Sequence, residues 1–551
     1  MKKERNHPQG LKVLFFTEMW ERFGFYLMLG IFTLYMIAGG DGAFPGLGFT
    51  DEKAADVYGT YLALVYLTPF FGGLLADRVL GYRRSITIGG LLMAAGYIGL
   101  SFHSEISFYV SLLLIIVGNG FFKPNISALV GRLYDNDKYR AHKDSGFNIF
   151  YMGINIGAFV CNFIAAYLRI NYGWGWAFAA AGIGMIAGLI WFWAGQSFAK
   201  DIRKADYLSP AGKEDMSLTS IFVKLFVPAS IAGALGWLIP GTIFGANSTD
   251  AFLFFSIPVV LFYINLVRSA PKKEKEPIKA LLAVMGVVVI FWAIFHQNGS
   301  ALTLWAERYT AREVPVWMQD ATTTLSLNQV VTTTPRERVE KDVHGVPVLD
   351  SNGNNKVTMG TDPYFDNLPE EDWPKSEQTK LFSTELFQSI NPAFIIVFTP
   401  LVVGFFGFLS RRKKEPSTPA KIGYGLLITS LSSLVMVGAV IASGNGVVKA
   451  SAAWLFSTYA VITVGELFLS PMGLSLVSKL SPPRIVALMM GGWFLSTSLG
   501  NKLSGVLSGL WSFYDNKMYF FLTNSLLATI AVIGIFIMLP WLRRVVKEYS
   551  S

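Results

Sequence analysis

The chain has 551 residues, of which 52% are hydrophobic and only 15% charged, against roughly 25% charged in an ordinary soluble domain. That is too little charge to solvate a globular surface of this size, and long apolar runs alternate with short basic connectors, so lipid is the expected solvent for most of the surface. The net charge of +9 is local: 307–380 carries 8 Lys/Arg and 13 Asp/Glu, a net of −5 that leaves +14 in short loops between apolar runs, which excludes a nucleic-acid-binding patch.

The N-terminus, Met1 to Gly10, is short and polar. The apolar run after it carries charge and lacks a small-residue cleavage site, so it is predicted to be a retained span rather than a signal peptide. Apolar runs near 12–39, 53–77, 85–102, 107–132, 145–169, 174–195, 218–240, 250–268, 278–304, 381–409, 419–443, 450–479, 485–513 and 518–541 predict fourteen helices able to cross a bilayer. Basic residues set the orientation. Lys2, Lys3 and Arg5 precede the first run; Arg78, Arg83 and Arg84 follow the second; Arg132, Lys138, Arg140 and Lys143 follow the fourth; Lys200, Arg203 and Lys204 follow the sixth. Lys272, Lys273 and Lys275 precede the ninth, Arg411 to Lys414 follow the tenth, and Arg543 and Arg544 follow the last. All fall on one side if both termini are cytoplasmic, as the positive-inside rule requires.

On that orientation the acidic insert at about 306–380 faces outward. It holds Thr-rich stretches and Pro315, Pro335, Pro347, Pro363, Pro369 and Pro374, which suit short strands and irregular loop equally. A solvated decoration and a substrate-collecting lid are the two readings of it. The one cysteine, Cys161, lies in an apolar run and permits no disulfide within the chain. Gly72-Gly73-Leu74-Leu75-Ala76-Asp77-Arg78 is loosely echoed by Gly404-Phe405-Phe406-Gly407-Phe408-Leu409-Ser410-Arg411. If spans seven and eight form an inserted hairpin, this echo relates two six-span halves: 1–200, a linker with two extra helices at 201–276, and 277–551. Transporters built from repeats place their site between the halves near the midplane.

An ionisable group in a span costs about 2.5–3.5 kcal/mol or more, so each one present needs a reason. Glu18, Glu21 and Arg22 stand at i, i+3 and i+4, with Tyr26 a further four residues on, and helical spacing puts all four on one face. Two acids and one base leave one carboxylate without a partner in the helix; it must find a cation or take a proton. Lys123 is the candidate cation, because Glu21 and Lys123 lie at matched depths of about 14 and 13 Å at ~1.5 Å per residue. A static pair that fixes helix packing and a proton or substrate relay are both consistent with this spacing.

Glu466 stands alone in the twelfth span, where it is either neutral and hydrogen-bonded or charged when an ammonium group arrives. His296, in the ninth, titrates near neutrality without large tuning; it is either a relay or a satisfied core residue. Asp77 and Arg78 at a span end suit gating or packing. Lys502 is expected near the outer interface, snorkelling, and Glu385 near the outer end of its span. Tyr26, Tyr66, Trp292, Asn155, Gln388, Asn391, Trp493 and Phe494 complete a polar and aromatic cavity. Metal-ligand spacing, a phosphate loop and a nucleophile motif are absent from the sequence, so neither a cofactor nor an enzyme activity is expected.

Glu18-Met19-Trp20-Glu21-Arg22-Phe23, Phe122-Lys123-Pro124-Asn125, Phe147-Asn148-Ile149-Phe150-Tyr151-Met152-Gly153-Ile154-Asn155, Gln388-Ser389-Ile390-Asn391-Pro392, Gly465-Glu466-Leu467 and Gly492-Trp493-Phe494 together resemble motifs of the proton-dependent oligopeptide transporter family, a branch of the major facilitator superfamily. The resemblance covers nearly the whole chain apart from the insert and the hairpin at 218–268, and such a hairpin is familiar in bacterial members. It implies an all-α polytopic membrane protein of two six-helix bundles plus a two-helix hairpin. It also implies proton-driven symport of di- and tripeptides by alternating access, in a bacterial plasma (inner) membrane. A monomer is the expected functional unit.

On the family pattern Glu18, Glu21 and Arg22 form the coupling cluster with Lys123 facing it. Asn155, Asn391 and Glu466 hold the peptide termini, Glu466 taking the amino end, while Lys123 and Tyr66 sit toward the carboxylate. Gln388 belongs to the same substrate-binding set. Tyr26, Trp292, Trp493 and Phe494 shape side-chain pockets. Three positions depart from the pattern: Phe25 replaces a tyrosine, Leu29 an arginine and His296 an acid. The last two changes are coherent, since removing an arginine–acid pair as a unit leaves no charge unpaired, and His296 is expected to take the acid's coupling role. The alternatives are a carrier of nitrate or another small solute in the same family, which the retained Glu466 disfavours, and a non-transporting peptide sensor, which the lack of a signalling domain or long tail disfavours.

Overall fold

The computed structural model describes the chain except residues 1–6, 40–43, 136, 141, 209–216, 341–347, 349, 351–355, 367, 375, 483–484 and 550–551. Lys2, Lys3, Arg5 and Pro347 therefore lie outside the described residues, as does the side chain of Lys143. Fourteen long helical segments follow in order: α1 (Gly10–Ile37), α2 (Asp51–Leu75), α3 (Tyr82–Gly99), α4 (Glu105–Leu133), α5 (Lys143–Tyr172), α6 (Trp174–Phe198), α7 (Val227–Trp237, continuing Leu218–Ile221 and Phe222–Phe226), α8 (Asn247–Ser269), α9 (Lys272–Phe295), α10 (Ile390–Arg411), α11 (Thr418–Ala442), α12 (Ala452–Leu480), α13 (Val486–Gly509) and α14 (Lys517–Tyr549).

Among the described residues eleven of these segments are long and apolar enough to cross a membrane. The other three are α1, α3 and α13, and each is diluted for a reason its sequence shows. α1 carries Glu18, Glu21 and Arg22, α3 opens with Arg83 and Arg84, and α13 holds Lys502 among serines and glycines. Glu18, Glu21, Arg22 and Lys502 are buried among other helices and face protein rather than lipid, which is where polar groups in spans are tolerated; Arg83 and Arg84 stand at the inner end of α3, half-buried and exposed. The chain is an integral membrane protein. The face that carries the insert is called outer below, and the face that carries the termini inner.

One core cluster runs from Leu11 to Ala205 and unites α1 to α6. A second draws on α9, α11, α12, α13 and α14, and a third joins the outer ends of that half around Trp305, Tyr459 and Trp511. The halves meet along two crossings, α2 with α13 and α5 with α10. The α2–α13 crossing is close because both helices offer glycine: a Cβ on Gly59 would stand 2.6 Å from the Gly505 Cα. Small residues let backbones approach in this way where no hydrophobic force drives helices together in lipid.

α9 does not continue unbroken to its outer end. After Phe295 it passes through a 3-10 turn, His296–Gly299, and resumes as Ala301–Arg308. α10 is likewise preceded by a 3-10 turn, Thr384–Ser389. The insert between them forms short strands among its described residues. Asn328–Thr332 pairs antiparallel with Gln378–Phe382, and Arg336–Val339 with Val357–Gly360, around a small core of Val331, Tyr364, Phe365 and Leu381. Thr310 and Ala311 add a parallel pairing to Ala450 and Ser451 in the loop before α12, so the insert is stitched to the outer face rather than hanging free.

Candidate functional site

The charged trio of α1 is buried, with Glu18, Glu21 and Arg22 at most 2% exposed. Arg22 grips both oxygens of Glu21, Nη2 donating to Oε1 at 2.5 Å, while its Nε lies 3.4 Å from Glu18 Oε1. Its guanidinium also rests on the rings of Phe25 and Tyr26, 4.7 and 5.9 Å from their centroids. The guanidinium is thus shared, with the closer grip on Glu21. Glu18 Oε2 is buried without a hydrogen-bond partner among the described residues, which is the shortfall that two acids and one base require. Asn119 of α4 carries the network to α2: it accepts from Arg22 at 3.5 Å and donates to the Val65 carbonyl at 2.9 Å. Asn119 escaped the sequence reading, although it stands four residues before Lys123 on the same helix face.

Lys123 does not make the ion pair expected of it. Its Nζ sits over the Tyr66 ring, 4.1 Å from the centroid, and it acts on Glu18 only at electrostatic range. The aromatic ring of α2 takes the ammonium in place of the acids. His296 joins the same wall. Its ring stacks on Trp292 at 5.2 Å and lies 5.7 Å from Tyr66, with Nδ1 3.3 Å from the Trp292 carbonyl. His296 is therefore part of a basic and aromatic patch with Lys123, not an isolated residue on an apolar face.

The opposing wall comes from the second half. Asn391, on the first turn of α10, donates to Glu466 Oε2 at 3.2 Å and to Thr463 at 2.8 Å. Glu466 has no cation bound to it among the described ion pairs, so its charge is available to a ligand. Tyr26 stands within electrostatic range of Arg22, Tyr66 and Glu466, and Tyr151 within range of Glu466, Tyr26 and Tyr66. Tyr151 was not singled out from sequence, although it lies four residues before Asn155, whose amide donates to its carbonyl at 3.0 Å. Lys123 and His296 on the first wall and Glu466, with no cation among the described ion pairs, on the second suit the two ends of a small zwitterion.

Several expected site residues are engaged elsewhere. Gln388 donates to the Asn298 carbonyl at 2.6 Å and to Thr303 at 2.7 Å, so it braces the α9 break instead of facing an open cavity. Trp493 is 3% exposed and packs on α12, where a Cβ on Gly473 would collide with its ring; it is a core residue, while the neighbouring Phe494 and Trp292 stay half-buried. Asp77 lies in the π turn that ends α2 and accepts from Tyr82 and, at 3.4 Å, from Arg132. Those partners belong to the first half. Arg78 shares that turn.

The outer end is closed by polar contacts between the halves. Thr33 of α1 donates to the Gly299 carbonyl at 2.5 Å. Asp51 receives Arg308 through two bonds of 2.6 and 2.8 Å. Arg169 of α5 forks onto Glu385 at 2.7 and 3.0 Å, and Lys502 of α13 reaches Asp56 of α2 at 2.6 Å. One expectation is corrected here: Lys502 is 2% exposed and does not snorkel. Glu385, at the outer end of its span, is fully buried in a bidentate pair. Neither partner could be found by sequence distance, since each pair joins different halves. Behind this closure Lys449, in the loop before α12, donates to the Arg308 carbonyl at 2.5 Å and lies 4.4 Å from the Tyr364 ring centroid. Desolvation there, with Arg312 close by, pushes the Lys449 amine down to about 8. Among the described residues no cluster of His, Cys, Asp and Glu could hold a metal ion.

A family model described as PTR2: POT family matches residues 83–319 and 380–523. An uncharacterized transporter, YclF of Bacillus subtilis (strain 168), is 31% identical over 544 residues, covering 98% of this chain and 95% of its own. A di-/tripeptide transporter of Lactococcus lactis subsp. cremoris is 29% identical over 546 residues, covering 97% of this chain and 96% of its own. A crystal structure of a peptide transporter POT in complex with sulfate superimposes with a TM-score of 0.75 at 29% identity, covering 98% of this chain and 96% of that one.

Proposed function

The chain belongs to the POT family of membrane transporters, and from that premise and the geometry of its cavity we propose that it is a proton-coupled symporter that imports di- and tripeptides. The observation that carries the substrate reading is the polarity of the cavity. Lys123, with Arg22 behind it, offers positive charge on the first half, while Glu466, held by Asn391 and unpaired by any described cation, offers negative charge on the second. A peptide zwitterion satisfies both, its carboxylate toward Lys123 and Tyr66 and its ammonium toward Glu466. A nitrate ion would satisfy only one and meet repulsion from Glu466. The related protein of Lactococcus is named a di-/tripeptide transporter, which supports the same substrate class.

Proton coupling is assigned to Glu18, Glu21 and Arg22 with Lys123, and to His296. The buried Glu18 oxygen without a partner is a place for a proton, because a protonated carboxyl needs no second cation. Substrate arriving beside Lys123 and Arg22 would compete with the acids for the same cations, which links substrate and proton occupancy. The closed outer end is one limit of an alternating-access cycle. Tyr26, Tyr66, Asn155, Asn391 and Glu466 form the substrate shell, with Trp292 and Phe494 at its edge, and Asp77 and Arg78 serve the inner gate. The protein works as a monomer in the bacterial inner membrane with both termini cytoplasmic, an orientation supported by the basic loops. Dipeptide uptake into proteoliposomes, with and without an imposed pH gradient, tests this reading. Accumulation above equilibrium only with the gradient is expected; equal uptake in both conditions would sink proton coupling.

A further inference from the structure

The α7–α8 hairpin takes no part in the cavity, yet it packs on α2 of the first half and α13 of the second, across the seam between them. Its two ends are held differently. At the outer end Asp56 of α2 accepts from Lys502 of α13 at 2.6 Å, from Ser248 of the hairpin at 2.7 and 2.5 Å, and from Thr249 at 3.3 Å. Lys502 donates also to Ser248 at 3.0 Å and to Thr60 at 2.7 Å. At the inner end the one polar tie described is to the second half, where Tyr263 donates to the Leu488 carbonyl at 2.8 Å. The hairpin meets α2 there through apolar side chains, with Phe226 against Phe71 and a small gap lined by Leu67, Phe70, Leu225 and Val259.

We infer that the hairpin is a strap over the α2–α13 seam in which Ser248 and Thr249 are positioning residues for closure of the outer end. This rests on the reading of the protein as an alternating-access transporter. Lys502 is buried at 2% exposure while its partner Asp56 keeps 27% of its side chain exposed, and an ammonium withdrawn from water in this way is stable only when its acceptors and counter-ion are held in place. Ser248 accepts from Lys502 and donates to Asp56, and Thr249 donates to Asp56, so the hairpin holds both partners while the outer end is closed. When α2 parts from α13, water reaches Lys502 and the hydroxyls are no longer needed. They therefore favour the closed state selectively. The inner contact with α2 is non-directional and can slide, so the hairpin travels with α13 and leaves the inner end free to move.

The test uses the full chain with Cys161→Ala, which removes the one cysteine, and Ser300→Cys as reporter, since Ser300 is 1% exposed beside Gly299 at the outer seam. Labelling by a membrane-impermeant maleimide is timed from the outer side, alongside the melting temperature. The Ser248→Ala/Thr249→Val double variant is expected to label at least about threefold faster than its parent, on the scale of hydrogen bonds to a charged group, and Thr249→Ser at the parent rate. A labelling rate unchanged in the double variant, with or without a lower melting temperature, overturns the inference and leaves the hydroxyls a purely structural role. Should the double variant not fold, Ser248→Ala alone is judged by the same criterion. Loss of gradient-driven dipeptide uptake by the parent itself would instead count against the transport reading, independently of the labelling.

Discussion

The Thr33 hydroxyl donates to the Gly299 carbonyl at 2.5 Å, one helical turn outward of Leu29 and three residues beyond His296. This bond joins α1 to the break in α9. Gly299 has no side chain, which leaves room for the Tyr58 hydroxyl: a Cβ there would lie 2.0 Å from it. Leu29 meanwhile packs into the core of the first half. Thr33→Val should weaken outer closure by about 1 kcal/mol, the net worth of one hydrogen bond. Outer-side labelling of the Ser300→Cys reporter is expected to rise severalfold, and Thr33→Ser to leave it unchanged.

Glu21→Gln should abolish concentrative uptake while preserving counterflow exchange of labelled dipeptide. Arg22 would lose its closest carboxylate but keep Glu18 at 3.4 Å, so the guanidinium is not left unpaired. Folded protein measured by gel filtration is expected at parent yield. Loss of folded protein would mean that the trio fixes packing and nothing more.

His296→Gln keeps a hydrogen-bonding group beside Trp292 and Tyr66 but removes the imidazole assigned to coupling. The pH dependence of gradient-driven uptake, measured across external pH values of about 5.5 to 8, is expected to flatten. An unaltered profile would leave His296 as a stacking partner of Trp292 alone.

Glu466→Gln should raise the KM for a dipeptide at least about tenfold, since a charge-assisted bond to the substrate ammonium is lost. An N-acetylated dipeptide, which has no ammonium group, is expected to be a poor substrate of the parent and no worse in the variant. An equal penalty for both peptides would remove Glu466 from the role of amino-terminus partner.

Lys449 gives a pH signature outside the membrane. Its pKa in the folded protein is lowered to about 8 by desolvation, below the value of about 10.4 expected unfolded. Between those values the unfolded chain holds the proton and the folded chain sheds it, so stability rises with pH across the window. Below pH 8 both forms are charged and the full cost of burying the ammonium is paid. The melting temperature of the parent should therefore climb from pH 8 to pH 10 relative to Lys449→Met. Parallel curves would place Lys449 in water.

The sequence alone determined the class of this protein and which charges in its spans need a reason. Fourteen apolar runs of spanning length leave few alternatives in lipid, because every backbone group there must be bonded within a helix. Charge in a span is costly enough that Glu18, Glu21, Arg22, Lys123, His296 and Glu466 announce themselves without coordinates. The i, i+3, i+4 spacing also fixed which of them share a face.

What tertiary structure decided was which partners meet across helices. Sequence spacing measures distance only within one helix, and depth counting gives height but not rotation. Lys123 had the right height yet turned to Tyr66. Lys502 was read as an interface residue because its partner, Asp56, lies 446 residues away in the other half, and nothing local to Glu385 points to Arg169. Gln388 was read into the cavity because nothing local shows that the α9 break offers it a carbonyl. The role of the hairpin became visible only where Ser248 and Thr249 reach Asp56, and the seating of the insert only where Lys449 meets the Arg308 carbonyl and the Tyr364 ring.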